Sequence, residues 1–188
     1  MQVLSTKILE LMSDPSFKPE QLLSFWQPVK LEKGEYFLRE GTVCNYLYYV
    51  SQGSVRSFFY QEEREITEWI ALEGMFFSPP RSYYEAIPSR LNFQAIESSL
   101  IYKIHRKDLD ELCAKQPEIE LFHRKLLEHF VIACETRIHL LLAGSAQQRY
   151  QHLIAAYPNI LSRVPLAYIA TFIGITQETL SRIRGNKQ

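Results

Sequence analysis

Residues 166–185 constrain the fold of this chain more than any other stretch. Ile169, Ile173, Ile175, Leu180 and Ile183 occupy the positions that must be apolar when two short helices cross and bury their inner faces. Ala170 is small, as it must be if the second helix passes close over it, and Gly174 follows four residues later. At a turn a left-handed backbone costs glycine little and any other residue more. Thr176 is suited to be the N-cap of the second helix, its hydroxyl accepting from a free amide, and Pro165 fits the start of the first. The spacing therefore predicts a helix-turn-helix. Its second helix keeps Gln177, Glu178, Ser181, Arg182 and Arg184 on the outer face. These side-chain types can read base edges in a major groove. An ordinary helical hairpin inside a core is the alternative, and the polar outer face argues against it.

A formal net charge of zero looks wrong for a nucleic-acid binder, but the charge is unevenly divided. Residues 1–144 carry 16 Lys and Arg against 20 Asp and Glu, whereas residues 145–188 carry five against one. A basic segment on an acidic body is the asymmetry expected when one part meets phosphate. The excess is modest, so phosphate neutralisation alone gives weak binding, and a dimer would double the basic surface. An apolar share of 46% is that of a globular chain. No run of about eighteen apolar residues is present, so no membrane span is expected. No basic segment followed by an apolar one marks a secretory signal, so a cytoplasmic location is expected. The cysteines Cys44, Cys113 and Cys134 are few and far apart, without a Cys-x-x-Cys pair. That excludes a disulfide framework or a four-cysteine metal cluster.

Ahead of the motif the texture changes twice. Ile8, Leu9, Met12, then Leu22, Leu23 and Phe25 have helical spacing, interrupted at Asp14-Pro15, which predicts two short helices. From about residue 28 to residue 104, short runs rich in β-branched and aromatic residues are separated by Lys33-Gly34, Glu40-Gly41, Gln52-Gly53, Glu62-Glu63 and Glu73-Gly74. This predicts an antiparallel barrel or sandwich. Residues 118–144 hold no proline and no glycine before Gly144. Within them Leu127, Val131, Cys134, Ile138 and Leu141 follow four- and three-residue spacings, a coiled-coil type of seam that suits dimerisation. A second stripe of Leu126, Phe130, Ala133 and Leu140 lies beside it, able to pack on the barrel. A single broad core face within one subunit is the alternative. Residues 147–157 are expected to form a helix and residues 159–164 a strand. Only Asn186, Lys187 and Gln188 follow Gly185, so little or no β-wing is expected. The fold class is α+β, with residues 1–116 as a jelly-roll-like barrel, a double-stranded β-helix, carrying N-terminal helices. Residues 117–144 form a dimerisation helix and residues 145–188 the helix-turn-helix domain.

A Gly-punctuated barrel, one long helix and a C-terminal helix-turn-helix, in that order, resemble the Crp–Fnr family of bacterial transcription regulators, particularly the divergent members common in Bacteroidetes. The resemblance covers about residues 20–185. It rests on Lys33-Gly34-Glu35, Glu40-Gly41, the segment from Leu47 through Gly53 to Arg56, Gly74 and, most specifically, the segment from Gly174 to Ile183. It implies a homodimer joined through the long helix, double-stranded DNA as partner, and base contacts from Gln177, Glu178 and Arg182. Family members often carry arginine where Gln177 stands, which leaves one half-site base open. Arg182 can donate bidentately to guanine and Glu178 can accept from cytosine. Glu178 also suits a helix N-terminus for its charge alone. Thr176, Ser181, Arg184 and Lys187 are better placed for phosphate. Activation would further need a surface for RNA polymerase, for which the sequence offers no candidate.

The resemblance also implies a ligand site, and there the residues depart from the pattern. Members that bind cyclic AMP carry a Gly-Glu pair and then Arg-Ser/Thr-Ala after the position of Gly74. Here Met75, Phe76, Phe77, Ser78, Pro79 and Pro80 follow Gly74, with no acidic residue, and Pro79-Pro80 removes two backbone donors. Arg90 could be the phosphate arginine, but Leu91 and Asn92 replace the small residues after it. Gly74, Phe76, Arg90 and Asn92 are thus the candidate ligand residues of a degenerate site. No cyclic nucleotide or other cofactor is expected, and a surviving pocket would suit an apolar or aromatic ligand. An enzyme is not expected either. The barrel segment has no histidine, and His105, His123, His129, His139 and His152 show no metal-type pairing within a helix. No catalytic residue or metal ligand is therefore assigned. A ligand-sensing module that acts through protein contacts alone remains the competing function, although it would not need the polar face of residues 177–184.

Overall fold

The computed structural model describes residues 1–12 and 17–185. The interruption expected at Asp14-Pro15 and the phosphate contact expected of Lys187 lie outside the described residues. Two helices, α1 (Gln2–Met12) and α2 (Glu20–Ser24), precede eight strands. These are β1 (Gln27–Leu31), β2 (Tyr36–Leu38), β3 (Tyr46–Gln52), β4 (Val55–Gln61), β5 (Arg64–Ala71), β6 (Phe76–Phe77), β7 (Asn92–Ala95) and β8 (Ser99–His105), with α3 (Pro80–Glu85) between β6 and β7. Helices α4 (Arg106–Lys115), α5 (Pro117–Ala143), α6 (Ala146–Ala156), α7 (Ile160–Arg163), α8 (Leu166–Phe172) and α9 (Gln177–Gly185) complete the chain.

The strands form two antiparallel sheets, ordered β1-β8-β3-β6 and β2-β7-β4-β5. Successive side chains of a strand point to opposite faces, and both sheets are covered on both sides. Tyr48 and Val50 of β3 point between the sheets and meet Leu31, Val55, Phe77, Phe93 and Ile101. Leu47 and Tyr49 of the same strand point outward, where Leu4, Ile8, Leu22, Leu109, Leu112, Ile119 and Phe122 of the helices cover them. On the far side Ile70 and Ile96 pack against the buried residues of α6 to α9. The molecule is therefore layered as helices, sheet, sheet and helices. Gly53, at the β3–β4 turn, takes φ +88°, and a Cβ there would stand 2.3 Å from Ser99 Oγ.

Three segments differ from the sequence expectation. Residues 159–164 are helical over Ile160–Arg163, not a strand. Ile160 and Val164 are both buried in the C-terminal cluster, and that i,i+4 pair suits a helical turn, which a short apolar run cannot signal unambiguously. Helix α4 was not expected. Its apolar residues are only Leu109, Leu112 and a few small ones, and its N-cap is His105, whose Nδ1 accepts from the Lys107 amide at 3.2 Å. Histidine is outside the usual capping set. The segment after Gly74, for which the sequence pattern predicted neither strand nor helix, forms β6 and α3, with Pro80 at the helix start. There proline's missing donor has no intrahelical partner to lose.

Candidate nucleic-acid interface

Helices α8 and α9 form the predicted helix-turn-helix. Ile169, Ala170, Ile173 and Leu180 are buried between them and α6. Gly174 takes φ +67° at the turn. The Thr176 hydroxyl accepts from the Thr179 amide at 3.2 Å, so Thr176 caps α9. Gln177, Glu178, Ser181, Arg182 and Arg184 all remain exposed. One of them is already engaged: the Glu178 carboxyl is held below the usual carboxylate range by its own backbone amide and the Thr176 hydroxyl, with Arg182 and Arg64 adding to the effect. Capping and base reading therefore compete for this side chain.

The motif is docked on the sheet, and several docking residues escaped the sequence reading. Arg56, buried on the outer face of β4, has its guanidinium 3.5 Å from the centre of the Tyr168 ring of α8. The Thr67 amide donates to Thr171 Oγ1 at 3.1 Å. Arg163 forms paired hydrogen bonds to Glu73 at 2.7 and 2.8 Å and also bonds Glu97. Arg149 donates to the Gly144 carbonyl at 3.0 Å and to the Gly174 carbonyl at 3.3 Å. It thereby covers the carbonyl end of α5, where positive charge is favoured, and ties that end to the motif's turn. Two of the five basic residues after position 144 therefore hold the fold together. The basic excess available to phosphate is smaller than the sequence count implied.

Helix α5 presents the second open surface. Its Leu126, Phe130, Ala133 and Leu140 stripe lies toward the barrel, with Phe130 and Trp69 ring centres 5.8 Å apart. Val131 and Ile138 of the predicted seam are 63% and 54% exposed, and Leu141 is 39% exposed. Leu127 and Cys134 are half-buried, turned partly toward the barrel. The sequence reading missed Ile132 and Leu142, which are 64% and 82% exposed and widen the apolar strip.

Comparison with known proteins follows this architecture. Residues 28–116 match the cyclic nucleotide-binding domain. The chain is 24% identical over 176 residues to the fumarate and nitrate reduction regulatory protein of Escherichia coli K12, covering 84% of this chain and 67% of that protein. It is 23% identical over 177 residues to electron transport regulator A of Shewanella oneidensis, with the same coverage. The chain is a homologue of the Crp–Fnr regulators. Among solved structures, FixK2 from Bradyrhizobium japonicum superposes with a TM-score of 0.74 at 20% identity, over 86% of this chain and 83% of that one. The catabolite activator protein of Thermus thermophilus gives 0.56 at 20% identity, over 96% and 85%. These likenesses establish the shared fold.

Within this Crp–Fnr homologue the expected ligand residues do not converge. Gly74 lies at a turn with φ +84° beside α1. Phe76 faces the helical layer, its ring 4.8 Å from that of Tyr49 and 5.8 Å from that of Phe122. Arg90 borders a wide surface depression with Arg81. The Asn92 side chain is turned inward and accepts from the Glu40 amide at 3.1 Å. A separate cavity of about 300 Å³ opens between the second sheet and α5, lined by Trp69, Phe77, Phe93, Phe130, Cys134 and Arg137 among others. Glu68 borders it where a β-bulge interrupts the pairing of β4 and β5. Desolvation pushes the Glu68 carboxyl up, opposed by Arg137 and by a hydrogen bond with Ser57. Glu68 as a whole residue is nevertheless exposed, so the crowding is confined to its carboxyl end. The sequence clue to this cavity is Arg137, a charge at the position where the Leu126, Phe130, Ala133 and Leu140 stripe would otherwise continue with an apolar residue.

Proposed function

We propose that this chain is a homodimeric, sequence-specific DNA-binding transcription regulator of Crp–Fnr type, working in the bacterial cytoplasm and not as an enzyme. One observation carries the reading: the outer face of α9 stays open to solvent while its inner face is buried on the molecule's own scaffold. A helix held rigidly from behind and polar in front is what a major groove accepts. The apolar strip on α5 supports pairing of two subunits, since contiguous exposed apolar surface marks an interface. The paired motifs would then address half-sites roughly 34 Å apart, one duplex turn. Arg182 is assigned to base reading, with Gln177 beside it. Thr176, Ser181 and Arg184 are assigned to phosphate, and Glu178 is divided between capping and cytosine.

The effector is not a cyclic nucleotide in this reading. Pro79 and Pro80 begin α3 where a phosphate cradle would need amides, and Asn92 is already engaged with Glu40. The cavity beside α5 suits a small, mainly apolar molecule. Such a molecule shifts DNA affinity only if it binds the competent and incompetent arrangements unequally. In-vitro selection from a random duplex library, followed by a salt titration on the selected site, tests the function. A palindromic site and a steeply negative log–log salt slope are expected. A flat response to salt and no enriched site would overturn the reading in favour of a module acting through protein contacts.

A further inference from the structure

We infer that Cys113, Glu120 and His123 form a binding site for a zinc-type divalent cation at the corner between α4 and α5. Cys113 closes α4, and Glu120 and His123 follow on the first turns of α5. Their candidate ligand atoms, one thiol, one carboxylate oxygen and one imidazole nitrogen, all lie within 4.8 Å of one another. Tetrahedral zinc with bonds of about 2.0–2.3 Å needs ligand atoms roughly 3.3–3.6 Å apart, so small side-chain adjustments close the site. The Glu-x-x-His spacing places both side chains on one helical face, an arrangement that helical proteins use for metal ligation. A thiolate, an imidazole and a carboxylate together favour a borderline cation over calcium or magnesium.

Two independent features point the same way. Tyr84 of α3 places its hydroxyl 3.2 Å from His123 Nε2, the outer hydrogen bond that orients a ligating imidazole. It leaves the other ring nitrogen free to bind. Asp110 stands one helical turn before Cys113, and among the described residues neither Asp110 nor Glu120 forms a salt bridge with Lys or Arg. The corner therefore gathers two carboxylates that are not directly ion-paired. Binding would release the Cys113 proton and fasten α4 to the root of α5, whose Ile119 and Phe122 are buried nearby. The set is not legible in the sequence because it is neither a histidine pair within one helix nor a Cys-x-x-Cys pair; it spans a helix–helix corner.

The test is independent of DNA binding. Full-length protein, freed of metal with a chelator, is titrated with Co²⁺ and followed by absorbance. One equivalent per chain is expected, with a thiolate-to-cobalt band in the near ultraviolet that Zn²⁺ displaces. Cys113→Ser removes that band. Glu120→Gln and His123→Gln each weaken binding at least tenfold, and Tyr84→Phe weakens it by about 10–100-fold. Circular dichroism confirms that each variant is folded. The assignment is overturned if the native chain gives no thiolate band or if the band survives in Cys113→Ser. Unchanged affinity in both Glu120→Gln and His123→Gln would also overturn it.

Discussion

Helices α5 and α9 each leave one face uncovered, and the two faces are opposites. On α5 the open side chains are Val131, Ile132, Ile138, Leu141 and Leu142. On α9 they are Gln177, Glu178, Ser181, Arg182 and Arg184. Both helices bury the reverse face, α5 against α1, α4 and the barrel and α9 against α6 and α8, so exposure alone does not distinguish them; chemistry does. An apolar strip gains by leaving water and asks for an equally apolar surface. A polar face with two arginines gains little from burial and asks for a charged, hydrogen-bonding surface. In the proposed function that difference matches a protein partner to one helix and a polyanion to the other. The two faces are also mechanically joined, because Arg149 bonds the carbonyl of Gly144 at the end of α5 and that of Gly174 in the turn before α9.

The contrast breaks most visibly if the strip is made polar. Val131→Glu with Ile138→Glu changes two side chains that are already more than half exposed, so each subunit should stay folded. Four apolar side chains leave the proposed dimer interface and four charges enter it, at a cost of about 4 kcal/mol or more. Sedimentation should show monomers at concentrations where the unmodified chain is dimeric, and affinity for a two-half-site duplex should fall with it. A dimer that survives both changes would place subunit pairing on another surface.

On the polar side Arg182→Ala should cost about 1–3 kcal/mol on the preferred duplex and relax the choice at one base pair. Glu178→Gln separates its two roles. If capping dominates, protein stability drops and base preference stays; if base reading dominates, the preference changes. Binding assays on single-position variants of the selected site distinguish these outcomes. An unchanged preference in Arg182→Ala would remove that side chain from the base-reading set.

The two faces also differ in how much of them the sequence disclosed. The helix-turn-helix was legible because its constraints are local: Gly174, Thr176 and the apolar pattern act within twenty residues of one another. The α5 strip was legible in part, since its spacing is periodic, but periodicity could not tell that Leu127 and Cys134 turn toward the barrel while Ile132 and Leu142 stay outside. The cavity was least legible. Trp69, Phe93 and Phe130 come from distant segments, and strand register decides that they converge. The docking arginines were hidden for the same reason: nothing near Arg163 in sequence announces Glu73 and Glu97. Helix α4 was missed because its cap is a histidine and its apolar residues are few.

Where the two faces are coupled, a smaller change is informative. Gly174 holds φ +67°, and an added Cβ would stand 3.1 Å from Leu141 Cδ2. Gly174→Ala should therefore destabilise the chain by about 1–2 kcal/mol through the left-handed backbone, with the tight approach to α5 adding to it. Chemical denaturation measures the loss. DNA affinity should fall together with the dimer constant, since one residue touches both elements. Full stability in this variant would show that the turn relaxes to another conformation.

The smallest expected effect concerns the clamp of Arg163 and Glu73 that fastens α7 to the barrel. Burial alone would push the Glu73 carboxyl up, but hydrogen bonds from Arg163 and from the Gly53 and Glu73 amides outweigh it, so its pKa lies below the ordinary carboxylate value. The native state thus binds this proton less readily than the unfolded chain does. Its contribution is present above about pH 4.5, the unfolded value, and fades as pH falls through the lowered native value. Because the Glu73 side chain is 39% exposed and Arg163 27% exposed, solvent screening keeps the contribution below about 1 kcal/mol. Glu68 acts in the opposite sense: its raised pKa makes stability decline as pH rises through that value. The unmodified chain's profile therefore mixes the two, and the comparison with Glu73→Gln isolates the clamp. The two proteins should differ in stability at pH 7 and converge toward acid. A difference that stays constant with pH would mean that Glu73 holds α7 in place by shape, not by charge.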